Sequence, residues 1–161
     1  MAWNYNQPYI VISAILKKDG RFLLVKETKK IAEGLWNIPG GRLDPQENPI
    51  EAVKREIREE TRYDFKPTYL LGIYSIVNKS LEKEFGIIPH ITDLTFIGEI
   101  LGKDNEDLLA DISETKWFSF EEIEKMGKDS LRDPYIIEII RDYIKGIKYS
   151  LKVVKHHSGK K

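Results

Sequence analysis

Two apolar runs rich in β-branched residues lie near the start of the chain, separated by a short polar segment. The runs cover residues 9–16 (YIVISAIL) and 21–27 (RFLLVKE), and the segment between them ends in Asp19-Gly20. An Asp-Gly pair is typical of the tight turn of a hairpin, because both residues tolerate the positive φ that this turn requires. The pattern therefore predicts two antiparallel strands.

A glycine-containing loop and a helix follow. Residues 35–41 (LWNIPGG) interrupt regular structure and permit close approach of the backbone. Asn48 is a suitable N-cap, Pro49 suits the first helical position, and Glu51 completes a pattern close to a capping box. These signals predict a helix from about Pro49 to Thr61.

Three more strands and two more helices are predicted beyond this helix. The strands cover 69–77, 87–101 (interrupted by Pro89) and 116–120. One helix begins at the capping-box pair Ser119 and Glu122 and ends near Gly127; the other runs from Asp133-Pro134 to about Ile147. Strands and helices do not alternate one by one. This order predicts an α/β (α+β) fold with a mixed β-sheet flanked by helices, rather than a doubly wound parallel sheet.

Length and charge predict one domain with a distinct tail. The 161 residues fit a single domain of residues 1–147, followed by a basic tail, 148–161, that we expect to be flexible. Lys plus Arg and Asp plus Glu number 26 each, but the six Lys from Lys145 onward leave 20 bases against 26 acids in the body. An acidic body does not predict nucleic acid as a partner.

Two further features of the sequence narrow the class of protein. The chain contains no Cys, which excludes disulfides, thiolate metal sites and cysteine nucleophiles. Residues 1–16 have neither the basic start of a signal peptide nor the length of a membrane span. We therefore expect a cytoplasmic protein without a membrane partner, and a homodimer is left open.

The predicted helix carries a band of carboxylates beside its apolar stripe. At about 100° per residue from Ile50, Glu59, Glu56 and Glu60 fall near 180°, 240° and 280°. Val53 and Ile57 form the stripe. One interpretation is an ordinary charged helix face. The other is a site for a hard cation, Mg²⁺ or Mn²⁺, because such ions take oxygen ligands.

The residues around this band resemble the signature of the Nudix hydrolase family, which hydrolyses nucleoside diphosphates linked to another moiety. The segment that matches the signature covers 23 positions. Its matching residues are Gly41, Glu47, Arg55, Glu56, Ile57, Arg58, Glu59, Glu60 and Thr61. A preceding W-x-x-PGG, which starts at Trp36, and a later E-x-x-WF, which starts at Glu114, extend the resemblance to about residues 9–125.

The resemblance implies an α/β/α sandwich and a site for Mg²⁺, for which Mn²⁺ could substitute. Glu56, Glu59 and Glu60 match the family's metal-ligand positions, with the carbonyl of Gly41 or Gly40 as a further ligand and Glu47 as a supporting residue. Arg55 matches the arginine that orients a catalytic carboxylate. The implied reaction is attack of water at phosphorus in a diphosphate linkage.

One position departs from the family pattern. The family places glycine where this chain has Arg62, at the end of the helix. Glycine suits a left-handed helix end, where any other side chain costs about 1 kcal/mol. We expect altered helix termination and intact chemistry.

Candidate residues also lie outside the helix. The catalytic candidates are Glu59, Glu60 and Arg55, with Glu114 as an additional acid that is either a general base, a substrate contact or a plain surface residue. Gly40, Gly41, Trp36 and His90 are candidates for contact with a nucleotide substrate, although the sequence favours a structural or rim role for Trp36 and His90. The alternative function is a non-catalytic Nudix-like module that binds a nucleotide or another protein.

Overall fold

The computed structural model describes residues 9–30, 32–79, 82–103, 111–127 and 129–159. The strands are β1 (Tyr9–Ile15), β2 (Lys17–Lys18), β3 (Arg21–Glu27), β4 (Trp36–Asn37), β5 (Gly40–Arg42), β6 (Tyr63–Val77), β7 (His90–Lys103), β8 (Ile112–Phe118) and β9 (Tyr149–Ser150). The helices are α1 (Pro49–Thr61), α2 (Glu82–Phe85), α3 (Phe120–Met126) and α4 (Tyr135–Ile144), with a 3-10 turn at Leu151–Val153. Within these ranges no helix combines the length and the apolar character needed to cross a bilayer.

The strands form two sheets. The first has the order β5-β1-β7-β6-β9, in which β1 and β7 are parallel and the other pairs are antiparallel. This sheet confirms the predicted mixed arrangement. In the second sheet, β2, β4 and β8 all pair with β3 in antiparallel fashion.

The expected hairpin between residues 9–16 and 21–27 is wrong. Asp19 and Gly20 do adopt positive φ, but their turn joins β3 to the two-residue strand β2. β1 lies in the other sheet, between β5 and β7. Each of the two strands contains four consecutive buried residues, as strands covered on both faces do. Such an apolar run does not indicate which strands it will pair with.

Helix α1 packs its apolar stripe on the first sheet, as predicted. The Asn48 side chain accepts a hydrogen bond from the amide of Ile50 at 2.9 Å and caps the helix. Val53 and Ile57 are fully buried in a cluster with Phe96 of β7. A second cluster lies on the other side of the sheet and includes residues of α3 and α4. The layers therefore form the α/β/α sandwich expected from the sequence.

Strand β6 is longer than predicted because it tolerates a proline. It begins at Tyr63 rather than at residue 69, and its pairing with β7 shifts register between Pro67 and Tyr69. At such a bulge the missing N–H of proline breaks no regular hydrogen bond of the ladder.

The first part of the expected flexible tail is ordered against the domain. Strand β9 pairs Tyr149 and Ser150 with Leu70 and Tyr69 of β6, and Leu151 packs against the buried cluster under α1. The expectation of a flexible tail was wrong for this part. The segment is rich in Lys, but its few apolar residues pack against the domain. Residues 155–159 are exposed, and 160–161 lie outside the described residues.

Candidate active site

A cleft of about 570 Å³ contains the carboxylate band of α1. Its walls come from α1, from both sheets and from the loop that precedes α4. They comprise Tyr9, Val11, Glu27, Lys29, Asn37, Gly40, Gly41, Arg42, Asp44, Arg55, Glu56, Glu59, Glu60, Asp111, Ile112 and Arg132. A larger depression of about 750 Å³ lies beside α1 along Lys54 and Arg58, but Glu56, Glu59 and Glu60 do not line it. The chemistry therefore belongs to the smaller cleft.

Arg55 joins three carboxylates. Its Nε and Nη2 donate to the two carboxylate oxygens of Glu47 at 2.8 and 3.0 Å. Its Nη1 donates to Glu56 Oε1 at 2.7 Å and to Glu59 Oε2 at 3.1 Å. Hydrogen bonding to Arg55 lowers the pKa of Glu47, and the same bond is the main cause that raises the pKa of Arg55. This geometry requires the rigid, planar set of N–H donors of a guanidinium group, which lysine does not have.

Glu60 connects the end of α1 to the glycine loop. Its Oε2 accepts a hydrogen bond from the backbone amide of Gly40 at 2.9 Å. Burial raises the pKa of Glu60 to about 8, and burial likewise raises the pKa of Glu56 despite its bond to Arg55. The protein neighbours of these two carboxylates therefore do not compensate fully for the burial of their charge.

The two glycines of the loop allow this packing. A Cβ at Gly41 would lie 2.4 Å from Cδ and Oε2 of Glu56. A Cβ at Gly40, where φ is +157°, would lie 2.3 Å from the carbonyl oxygen of Ile12. The backbone can approach α1 and β1 this closely only without side chains at both positions.

The donor set suits a hard cation. Carboxylate oxygens converge on the cleft beside the Gly40–Gly41 backbone, which is the ligand type that Mg²⁺ and Mn²⁺ prefer. Among the residues that the structure describes, no three Asp, Glu or His side chains lie close enough together to hold an ion. Arg55 lies between Glu56 and Glu59 and bonds to both. The bonds to Nη1 use only Oε1 of Glu56 and Oε2 of Glu59, which leaves the other oxygen of each carboxylate for a cation.

The cleft does not gather every predicted residue. Glu114 is half-exposed on β8, 3.7 Å from Lys26 Nζ, and does not line the cleft. The ring of Trp36 packs edge-on against Phe118 at 4.9 Å between centroids. His90 Nε2 lies 2.8 Å from Ser75 Oγ, also outside the cleft lining.

Ten of the sixteen lining residues were not predicted from the sequence. Three of these ten meet in the cleft wall, where Glu27 contacts both Asn37 and Arg132. Glu27 and Arg132 are 105 positions apart, so no local spacing pointed to them. The only signal for Glu27 is that a charged residue stands at the end of an apolar run, and Asn37 and Arg132 have no such signal.

Comparisons with known proteins point to one family. A family model described as the NUDIX domain matches residues 6–138. A protein named Phosphatase NudJ, from Shigella boydii serotype 4, is 29% identical over 148 residues, which cover 92% of this chain and 91% of that protein. The structure of a NUDIX hydrolase from Nitrosomonas europaea superposes with a TM-score of 0.86 at 30% identity, covering 96% of this chain and 100% of the other. The MutT protein from Methanosarcina mazei Go1 has a similar fold, with a TM-score of 0.68 at 24% identity over 86% of this chain and 95% of its own.

Proposed function

The chain belongs to the NUDIX hydrolase family, and on that premise we propose that it uses Mg²⁺ to hydrolyse the diphosphate linkage of a nucleoside diphosphate derivative. Nucleoside triphosphates, ADP-ribose and nucleotide sugars all contain this linkage. Water attacks phosphorus, and both products keep a phosphate.

The observation that carries the proposal is that hydrogen bonds hold four acidic residues together at one wall of the cleft. Arg55 holds Glu47, Glu56 and Glu59, and Gly40 holds Glu60, so that helix and loop present their oxygens together. Mutual repulsion on a helix costs a few tenths of a kcal/mol per pair, so the band is not explained by stability.

Glu56, Glu59 and Glu60 would hold the ion, together with the carbonyl of Gly41 or Gly40, while Glu47 supports the site through Arg55. When bound, Mg²⁺ or Mn²⁺ supplies charge neutralisation for the phosphates and lowers the pKa of water. This also explains how an acidic cleft accepts a polyanion.

The chain's own residues orient the reaction. Arg55 fixes the rotamers of Glu56 and Glu59 through Nη1. We assign removal of the water proton to Glu59 or Glu60, because both line the cleft, and not to Glu114, which is turned toward Lys26 elsewhere on the surface. Lys29 and Arg42 line the same cleft and would contact phosphate oxygens.

The name of the relative, Phosphatase NudJ, is that of an enzyme that hydrolyses a phosphate bond, which is consistent with the proposed class of reaction. The alternative of a non-catalytic binding module requires a degenerate site. Glu47, Arg55, Glu56, Glu59 and Glu60 are all present and line or support one cleft, which favours catalysis.

Turnover with and without metal tests the proposal. The purified chain is assayed on the nucleotides above with Mg²⁺ and again with EDTA, beside Glu59→Gln, Glu60→Gln and the control Glu51→Gln. Glu51 lies on the same helix but is exposed and paired with Lys54, so its variant should match the parent. The two site variants should lose at least about 100-fold in kcat. Activity that persists in EDTA, or within about threefold of the parent in both site variants, would contradict the assignment.

A further inference from the structure

Three polar side chains from three separate elements meet in the wall of the cleft formed by the second sheet. Oε2 of Glu27 accepts a hydrogen bond from Arg132 Nη1 at 2.6 Å, and Oε1 accepts one from Asn37 Nδ2 at 2.8 Å. The side chains of Glu27 and Arg132 are only 12% and 22% exposed. We call Glu27, Asn37 and Arg132 the Glu27 clamp.

The backbone holds the clamp in place. The amide of Trp36 donates to the carbonyl of Ser130 at 2.8 Å, and the amide of Arg132 donates to the carbonyl of Trp36 at 2.8 Å. Leu131, between these two bonds, is 1% exposed. The loop before α4 is therefore fixed to β4. Arg132 is held by its backbone amide and by its bond to Glu27 without any ligand.

The clamp has an acceptor without a donor. An ionised carboxylate only accepts hydrogen bonds, so Nδ2 of Asn37 must face Glu27 and Oδ1 must face away. Oδ1 is buried and has no hydrogen-bond partner among the residues that the structure describes. A buried amide oxygen without a donor is destabilising, and native structures contain few of them. A ligand that supplies an N–H removes this cost.

The clamp also has donors without an acceptor. Arg132 uses Nη1 for Glu27, whereas Nε and Nη2 form no hydrogen bond with any described residue. Guanidinium donors lie in one plane, which suits a planar partner. The charge of Arg132 is offset by Glu27, so the clamp is less suited to a second phosphate than to a neutral group with directional polar atoms.

We propose that the Glu27 clamp binds the hydrogen-bonding edge of the substrate's heterocycle, with Arg132 donating to a ring nitrogen or carbonyl oxygen and Asn37 Oδ1 accepting an N–H. This assignment rests on the proposed function, because it places the phosphates at α1 and the base at the second sheet. Tyr9 and Val11 line the same cleft and offer an aromatic and an apolar surface to a ring. Glu27 acts as the positioning residue for both contacts.

The first test measures competition. Nucleotide hydrolysis by the full chain is inhibited with the matching nucleoside or with inorganic pyrophosphate, in the parent and in Arg132→Lys. Lysine keeps the charge beside Glu27 but loses the planar fork. We expect the inhibition constant of the nucleoside to rise at least about tenfold in Arg132→Lys, and that of pyrophosphate to stay within about twofold. The control is Arg21→Lys, since Arg21 forms a comparable 2.9 Å pair with Glu122 at an exposed position.

The second test does not need turnover and separates the clamp from the hydrolase assignment. In the parent, side-chain NMR signals of Asn37 Nδ2 and Arg132 Nε are followed while adenosine, guanosine, cytidine or uridine is added, and then with inorganic phosphate. A shift of both signals by at least one nucleoside, and none by phosphate, supports the clamp even if no nucleotide is hydrolysed. Shifts caused by phosphate alone, or equal loss of nucleoside and pyrophosphate inhibition in Arg132→Lys, would overturn it.

Discussion

The backbone amide of Gly40 donates a 2.9 Å hydrogen bond to Oε2 of Glu60. This bond links the last turn of α1 to a loop that is 20 positions earlier in the chain. Gly40 also pairs with Ser13 of β1, so the same loop is attached to the first sheet. The Glu60 carboxylate is therefore held by a backbone group that is itself fixed to the first sheet.

Gly41→Ala should impair the site while sparing the fold. The new Cβ would meet the end of the Glu56 side chain at 2.4 Å, and this flexible end can move without displacing the backbone. We expect metal affinity or kcat to fall about 10- to 100-fold, as when the support of a metal ligand is lost. Gly102→Ala is the control, because a Cβ there meets no atom of the described residues within 4 Å. Equal activities of the two variants would show that the position of Glu56 is unimportant.

Arg55→Lys should lower kcat about 10- to 100-fold, because an ammonium group cannot hold Glu47 by two parallel bonds and still reach Glu56 and Glu59. Steady-state kinetics at saturating Mg²⁺ measure the loss. Arg58→Lys is the matched control on the same helix, since Arg58 pairs with Asp64 outside the carboxylate cleft. If both variants retain parental kcat, Arg55 does not organise the site.

Arg62→Gly should be neutral or stabilising. Arg62 ends α1 with φ 62° and ψ 12°, and its amide bonds to the carbonyl of Arg58. Glycine adopts this left-handed conformation without the penalty of a Cβ, for a gain of up to about 1 kcal/mol in the free energy of unfolding. Urea unfolding measures this change. A clear loss of stability, or a collapse of kcat, would reveal a further role for the arginine.

Asp93 should make stability fall as pH rises. It is 1% exposed on β7, Ser13 Oγ donates to its Oδ1 at 2.9 Å, and burial raises its pKa to about 7. The folded state therefore binds a proton that the unfolded chain releases near pH 4, so the free energy of unfolding decreases between about pH 4 and 7.

Urea unfolding of Asp93→Asn across this pH range checks the sign. The variant should lose the share of the decrease that Asp93 causes, because an amide does not titrate, while the share of Glu60, whose pKa is also raised by burial, should remain. Glu99→Gln, an exposed acid on the same strand, should keep the parental profile. A pH profile of Asp93→Asn that equals that of the parent would exclude Asp93 as the cause.

Local signals predicted the parts of the fold that depend on near neighbours. The cap at Asn48, the start at Pro49 and the stripe of Val53 and Ile57 all predicted α1 correctly, because capping and amphipathicity act within a few residues. The spacing of Glu56, Glu59 and Glu60 placed them in one cleft for the same reason.

Such local signals could not predict contacts between segments that are far apart in the sequence. Nothing near β1 or β3 showed that these strands join different sheets, and the docking of Tyr149 depends on a free stretch of β6. The Glu27 clamp likewise combines residues from β3, β4 and the loop before α4. Polar groups that serve a site across two sheets have no periodicity along the chain.

Isotope labelling of the products tests the central claim, water attack at phosphorus in a diphosphate linkage, most directly. The Mg²⁺-loaded chain hydrolyses ADP-ribose or a nucleoside triphosphate in ¹⁸O-labelled water, and the products are weighed by mass spectrometry. We predict one ¹⁸O atom on a phosphate of one product, with AMP and ribose phosphate, or a nucleoside monophosphate and pyrophosphate, as the product pairs. Label on a sugar carbon, or free nucleoside as the first product, would contradict the account.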